Sequence, residues 1–217
     1  MAGRGFSVAP MAGRIAVGYA VLASLAVALA VALRDGVPWM HPEPWMAMSP
    51  GLALAASAGL GLVLSLVVIG GTRLTVSRLA WAKRLHIDLR PIAHGLSLGQ
   101  IVLIALFSSL GEELLFRGLV QPWLGLLPTS VVFGLCHQMP GQARWVWVCW
   151  ATFVGMAFGA IFAFTGSLLG AVLAHAVINA VNLVYLRDHD PMKRGGDDGS
   201  DGGTIRGTAA RADRVGS

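Results

Sequence analysis

The chain has 217 residues, 55% of them hydrophobic and 12% charged, and its mean hydropathy of +0.68 lies beyond that of a water-soluble globular domain. Its net charge of +5 sits in segments flanking apolar runs, where the natural partner is anionic lipid rather than nucleic acid. A soluble enzyme and a nucleic-acid-binding module are thereby excluded, and an all-α polytopic membrane bundle is expected.

Crossing about 30 Å of hydrocarbon takes roughly 20 apolar residues. The first charge-free run, 15–33, is longer than the apolar core of a cleaved leader and reads as a span. Segment 34–51 carries prolines and the pair Trp39 and Trp45, as suits a short external loop anchored at the interface. A second span follows over 51–72. Next comes "RLTVSRLAWAKRLHIDLRPIAHG", where Arg73, Arg78, Lys83, Arg84 and Arg90 face a single Asp88 and alternate with Leu74, Leu79, Trp81 and Leu85. It reads as a basic segment lying on the membrane surface, cytoplasmic by the positive-inside rule. A third span is expected over 95–111. Residues 118–143 and 145–186 contain no Asp, Glu, Lys or Arg, and the second stretch is long enough for two helices parted at Thr165-Gly166-Ser167. Arg144, Trp145, Trp147 and Trp150 read as an interfacial anchor.

The count is about six spans with both termini cytoplasmic, in a multi-pass protein of a bacterial cell membrane. The chain divides into two N-terminal spans with the basic loop (1–94), a helical core (95–186) and a disordered tail rich in Gly, Asp and Arg (187–217). Cys136 and Cys149 lack any C-x-x-C spacing and read as small buried hydrophobes. Gly155, Gly159 and Ala163, like Gly166 and Gly170, form small-residue faces suited to helix packing. His41, His86, His94 and His189 fall in loops or the tail and read as surface residues.

Three polar sites interrupt the apolar core. In "SSLGEELLFRG", Glu113 and Arg117 stand four apart with the acid first, the favourable order for a helical ion pair. Glu112 is turned about 100° away and is free for another task. Charges at membrane depth cost roughly 2.5–3.5 kcal/mol each and persist when paired or used, although a helix ending at the interface would leave all three solvated. In "VVFGLCHQMPG", His137 follows Phe133 by one turn and is either a core residue or a functional one. In "LLGAVLAHAVINAVNLVYL", His175 and Asn179 share a face close to mid-membrane, and Asn182 extends the stripe as an interhelical hydrogen bond. Brought together, these residues could hydrolyse a bond: a carboxylate takes a proton from water, one His assists, and His with Asn donate to the developing oxyanion.

"EELLFR" at 112–117, "FGLCH" at 133–137 and "HAVIN" at 175–179 resemble, in order, the Glu-Glu-x-x-x-Arg, Phe-x-x-x-His and His-x-x-x-Asn motifs of the CPBP intramembrane proteases. That group holds the CAAX prenyl endopeptidases of Rce1 type and the bacterial relatives labelled Abi. The resemblance covers residues 95–186. It implies a membrane endopeptidase in which Glu112 activates water, His137 assists, His175 and Asn179 stabilise the oxyanion, and Glu113 with Arg117 support the site. The substrate it implies is a membrane-anchored protein or peptide cut near its C-terminus.

Glu112, His137 and His175 could also serve as three zinc ligands, but no His-Glu-x-x-His occurs, and the metal-free glutamate reading without a cofactor is favoured. A Ser167–His175 dyad lacks a Gly-x-Ser-x-Gly context and leaves the acidic cluster unexplained. A proton or ion path would use similar residues, yet no pair of Gly/Pro-broken helices marks an inverted repeat. An inactive scaffold would not need all four catalytic-type residues.

Overall fold

In a computed structural model, residues 9–34, 36–139, 141 and 143–192 are described, with side chains from residue 11 onward. The described residues form helices without a strand. They are α1 Ala9–Arg34, α2 Pro50–Arg78, α3 Ala80–Ala93, α4 Leu98–Glu113, a π-helical stretch Leu114–Val120, α5 Gln121–Leu124, α6 Leu126–Cys136, α7 Arg144–Thr165 and α8 Leu169–Asp188. The protein is a multi-pass membrane bundle. Of the tail 187–217 expected to be disordered, Arg187 and Asp188 instead end α8, while residues from 193 onward lie outside the described residues, as do Pro140 and Gln142.

Sequence accounts for how the helices meet. On α1, Ala12, Ala16, Ala23, Ala26 and Ala30 are buried at steps of three, four and seven, giving a narrow seam of small side chains that lies along α4. Where α2 crosses α8, a Cβ on Gly61 would lie 2.3 Å from Gly170 O, and one on Gly170 would lie 2.0 Å from Ser57 O. Only glycine permits that approach. Ser57 Oγ fastens it, donating to Ser167 O at 2.8 Å and accepting from Gly170 N at 2.8 Å. On α7, Gly155 and Gly159 instead make room for side chains, Phe133 with Arg117 and Gln121 with Leu126, so they serve packing as expected. At the start of α4, Ser97 and Gln100 form a capping box. The α7–α8 turn closes on Gly166 at φ +78°, within the Thr165-Gly166-Ser167 break expected.

Five helices are long and apolar enough to cross a membrane, namely Met11–Arg34, Pro50–Arg78, Leu98–Leu124, Arg144–Thr165 and Leu169–Asp188. The third is continuous through α4, the π-helical stretch and α5, so the chain does not leave the membrane at Gly111 as the charge pattern suggested. The expected span over 118–143 is instead α6, with 11 residues and a length of about 16 Å, roughly half a crossing. After Cys136 the chain continues without helix and reaches the opposite side: Met139 and Ala143 cluster with Leu85 and Leu89 of α3 and with Leu186 at the end of α8. The other side is marked by the α1–α2 loop, where His41 N donates to Gly166 O at 2.9 Å and Trp45 N to Ala163 O at 2.7 Å. Five full helices and one half-length helix thus replace six equal ones.

On the basic side, α3 lies across the bundle with Ala82, Leu85, His86 and Leu89 buried. His86 is not a surface residue: its Nε2 lies 2.9 Å from His189 O, and burial lowers its pKa below the usual histidine value. Cys136 and Cys149 are free thiols, as expected, but both are exposed rather than buried. Lipid offers an apolar side chain almost what a protein interior does, so apolarity does not say which way it faces.

Candidate active site

The three polar motifs meet at the middle of the bundle. Glu112 and Glu113 close α4, Arg117 lies one turn on in the π-helical stretch, His137 caps the end of α6, and His175 lies on α8. Sequence spacing alone left Glu112 and His137 on different levels, requiring the link between them to dip into the membrane. The structure resolves this differently. The Leu98–Leu124 helix carries Glu112 to mid-depth, α6 returns from Gly125 (φ +82°), and the half-length of α6 brings His137 to the same depth.

Glu113 and Arg117 are fully buried and paired at 3.1 Å. Glu113 Oε1 also accepts from His175 Nδ1 at 2.7 Å, a charge-assisted length. Arg117 Nη2 donates to Gly155 O at 2.7 Å, and its guanidinium sits 4.3 Å from the Phe133 ring centre. Gly155 makes room for this, since a Cβ there would lie 2.9 Å from Arg117 Nη2 and 2.7 Å from Phe133 Cδ1. A shared polar set therefore ties α4, α7 and α8 together. Its centre is lined by Phe158, which stacks on the His175 ring at 5.0 Å.

Glu112 has a different environment. Its Oε1 accepts from Tyr19 OH of α1 at 2.8 Å. Its Oε2 is buried without a hydrogen-bond partner and lies 3.7 Å from His137 Nε2 and 3.8 Å from His175 Nε2. Both imidazoles are oriented by their other nitrogen: His137 Nδ1 donates to Phe133 O at 2.7 Å, and His175 Nδ1 to Glu113. In their neutral forms both rings therefore turn an Nε2 lone pair toward Glu112. Three acceptors then converge on one small space, at separations too long for direct hydrogen bonds. Such a space suits a group with protons to give, such as water. Two carboxylates and one guanidinium leave one negative charge, so a single proton on one imidazole makes the buried set neutral.

Asn179 lies one turn from His175 toward the basic side, where its Nδ2 donates to Ser108 Oγ at 3.3 Å. It is thus held beside α4 rather than against Glu112. Asn182, expected to make an interhelical hydrogen bond, accepts from Arg73 Nη1 of α2 at 3.1 Å. Ser167 Oγ accepts from Leu169 N at 3.3 Å and stands eight residues from His175, about 12 Å along the axis, too far for a dyad. Among the described residues, no group of three or more His, Cys, Asp or Glu is arranged to hold a metal ion. Tyr19, Ser108 and Phe158 were not singled out by sequence.

Residues 94–181 match the family described as type II CAAX prenyl endopeptidase Rce1-like. A protein of Bacillus subtilis strain 168, described as uncharacterized protein YpbD, is 30% identical over 91 residues, which is 42% of this chain and 48% of the relative. The matched stretch therefore spans about half the length of that relative. No solved structure matches.

Proposed function

From the match of residues 94–181 to the Rce1-like family, we propose that the protein is an intramembrane endopeptidase of the cell membrane that uses glutamate-activated water. The observation that carries the reading is the approach of Glu112 Oε2 to 3.7 and 3.8 Å from two imidazole Nε2 atoms. Glu112 Oε2 takes a proton from water, and the hydroxide oxygen bonds to the scissile carbonyl carbon as the C=O π pair moves onto oxygen. His137 holds the water in line. His175, as imidazolium against Glu113, donates from Nε2 to that oxyanion, and the second N–H of Asn179 lies one turn away on the same face. Collapse breaks the C–N bond, and the proton on Glu112 passes to the leaving amine.

A site at mid-bundle suits a membrane-anchored protein or peptide as substrate, and cleavage near its C-terminus is what the family resemblance adds. A zinc-dependent variant would use the same three atoms, Glu112 Oε2 and the two Nε2. The metal-free reading is the one proposed, with the zinc-dependent variant as its alternative. The test compares the termini of membrane proteins, by mass spectrometry, in cells carrying the native chain and cells carrying Glu112→Gln at matched levels. Uncut termini confined to the variant support proteolysis; identical profiles across growth conditions refute it.

A further inference from the structure

The family match begins at residue 94, yet one ligand of the Glu112 carboxylate comes from α1, far outside it. The buried seam of α1 runs Ala12, Ala16, Ala23, Ala26 and Ala30. Tyr19 takes the step between Ala16 and Ala23 and is the seam's single large side chain. Opposite it, α4 has Gly111, where a Cβ would lie 2.9 Å from Tyr19 O and 3.1 Å from Tyr19 Cδ1. A small-residue contact on both helices thus brings the phenol in along α4, and its hydroxyl ends 2.8 Å from Glu112 Oε1. At the far end of the same contact, Arg34 Nη1 donates to Gly118 O, so α1 is fixed against the catalytic span at two heights.

We infer that Tyr19 is a positioning residue for the reaction: it occupies Glu112 Oε1 and thereby leaves Oε2 as the one basic atom facing His137 and His175. A carboxylate with both oxygens free could turn about Cγ–Cδ and carry its basic atom out of line with the imidazoles. With Oε1 held by a phenol, rotation would sacrifice a charge-assisted hydrogen bond. The charged groups around Glu112 are Glu113 and Arg117 on its own helix, His137 on α6 and His175 on α8. None of them touches Oε1, so no other described side chain duplicates the role. The site is then completed by a helix that the family match does not include.

This inference rests on the proteolytic reading and is tested so that the two fail separately. The full chain is purified in detergent with a cleavable membrane peptide taken from the terminus comparison, and native, Glu112→Gln, Tyr19→Phe, Glu112→Asp and Tyr19→Phe/Glu112→Asp forms are assayed. Cleavage that persists in Glu112→Gln overturns the proteolytic reading itself. With that reading intact, Tyr19→Phe lowers kcat by about tenfold or more with KM unchanged, the size expected for losing a hydrogen bond to a charged group. In the Glu112→Asp background, where the shortened side chain no longer reaches the phenol, Tyr19→Phe has no further effect. Unchanged kcat in Tyr19→Phe, or an equal loss in both backgrounds, overturns the positioning role. If Tyr19→Phe accumulates poorly or melts early, 3-fluorotyrosine at position 19 keeps the packing while changing the hydroxyl's acidity. A pH profile of kcat unmoved by that replacement overturns the inference too.

Discussion

Two adjacent glutamates should respond to the same substitution to very different degrees. Glu113 is fully buried, pairs with Arg117 at 3.1 Å and accepts from His175 at 2.7 Å. Glu113→Gln keeps the shape and an acceptor oxygen but removes the counter-charge of the Arg117 guanidinium, itself fully buried. Breaking a buried pair from one side costs about 3–5 kcal/mol, and two charge-assisted bonds at about 1.5–3 kcal/mol each give a similar figure. For a chain of this size that is a fall of roughly 6–20 °C in Tm. Glu112→Gln removes a charge whose Oε2 has no partner and whose Oε1 bond from Tyr19 an amide oxygen also accepts, so its cost is within about 1 kcal/mol. Thermal unfolding of the three detergent-solubilised proteins, followed by intrinsic fluorescence, reads both. A Glu112→Gln form that melts as early as Glu113→Gln, or a Glu113→Gln form that melts with the native protein, would refute the division into chemical and structural glutamates.

Under the metal-free reading, prolonged dialysis against a strong chelator leaves peptide cleavage unchanged, whereas loss of activity restored by zinc would replace that mechanism with a metal-dependent one. Gly170→Ala drives a methyl group into Ser57 O and should cost several kcal/mol, visible as lost accumulation in the membrane. Gly59→Ala, with nothing within 4 Å of the added carbon, should accumulate normally. The lowered pKa of His86 is caused chiefly by burial, with His189, Arg90 and Arg73 nearby. A depressed folded-state pKa means its contribution is present above the unfolded value, about 6.5, and is lost as pH falls below that. Hydrogen-exchange protection in α3, corrected for the intrinsic rate, should therefore fall between pH 7.5 and pH 5.5, and His86→Asn should remove the difference.

The polar constellation was legible because helical spacing is a strong code: Glu113 and Arg117, and His175 and Asn179, stand four apart and share faces as expected. The break at Gly166 was legible for the same local reason. Longer-range features were not. Apolarity over 118–143 says that the segment is buried or in lipid but not that helix stops at Cys136, and that stop sets the depth of His137. Tyr19 lies 93 residues from Glu112, and an aromatic residue on an apolar helix reads as packing. Its one signal is being the lone large side chain in an alanine seam. His86 was misread because the basic segment was taken to rest on the membrane surface with its histidine in a loop, whereas its inner face docks on α8.

The half-length of α6 bears on how the chain enters its membrane. A helix of 11 residues is too short to be released into lipid alone, because the non-helical backbone after it would lie in hydrocarbon with unmet amides and carbonyls. It must be held until α7, whose Gly155 receives Phe133 and Arg117, arrives from the ribosome. Glu113 and Arg117 then still lack His175, delivered later on α8. During its own synthesis the chain thus carries Glu112 and His137 before His175 is in place, so under the proteolytic reading hydrolysis stays latent in the nascent protein until α8 docks.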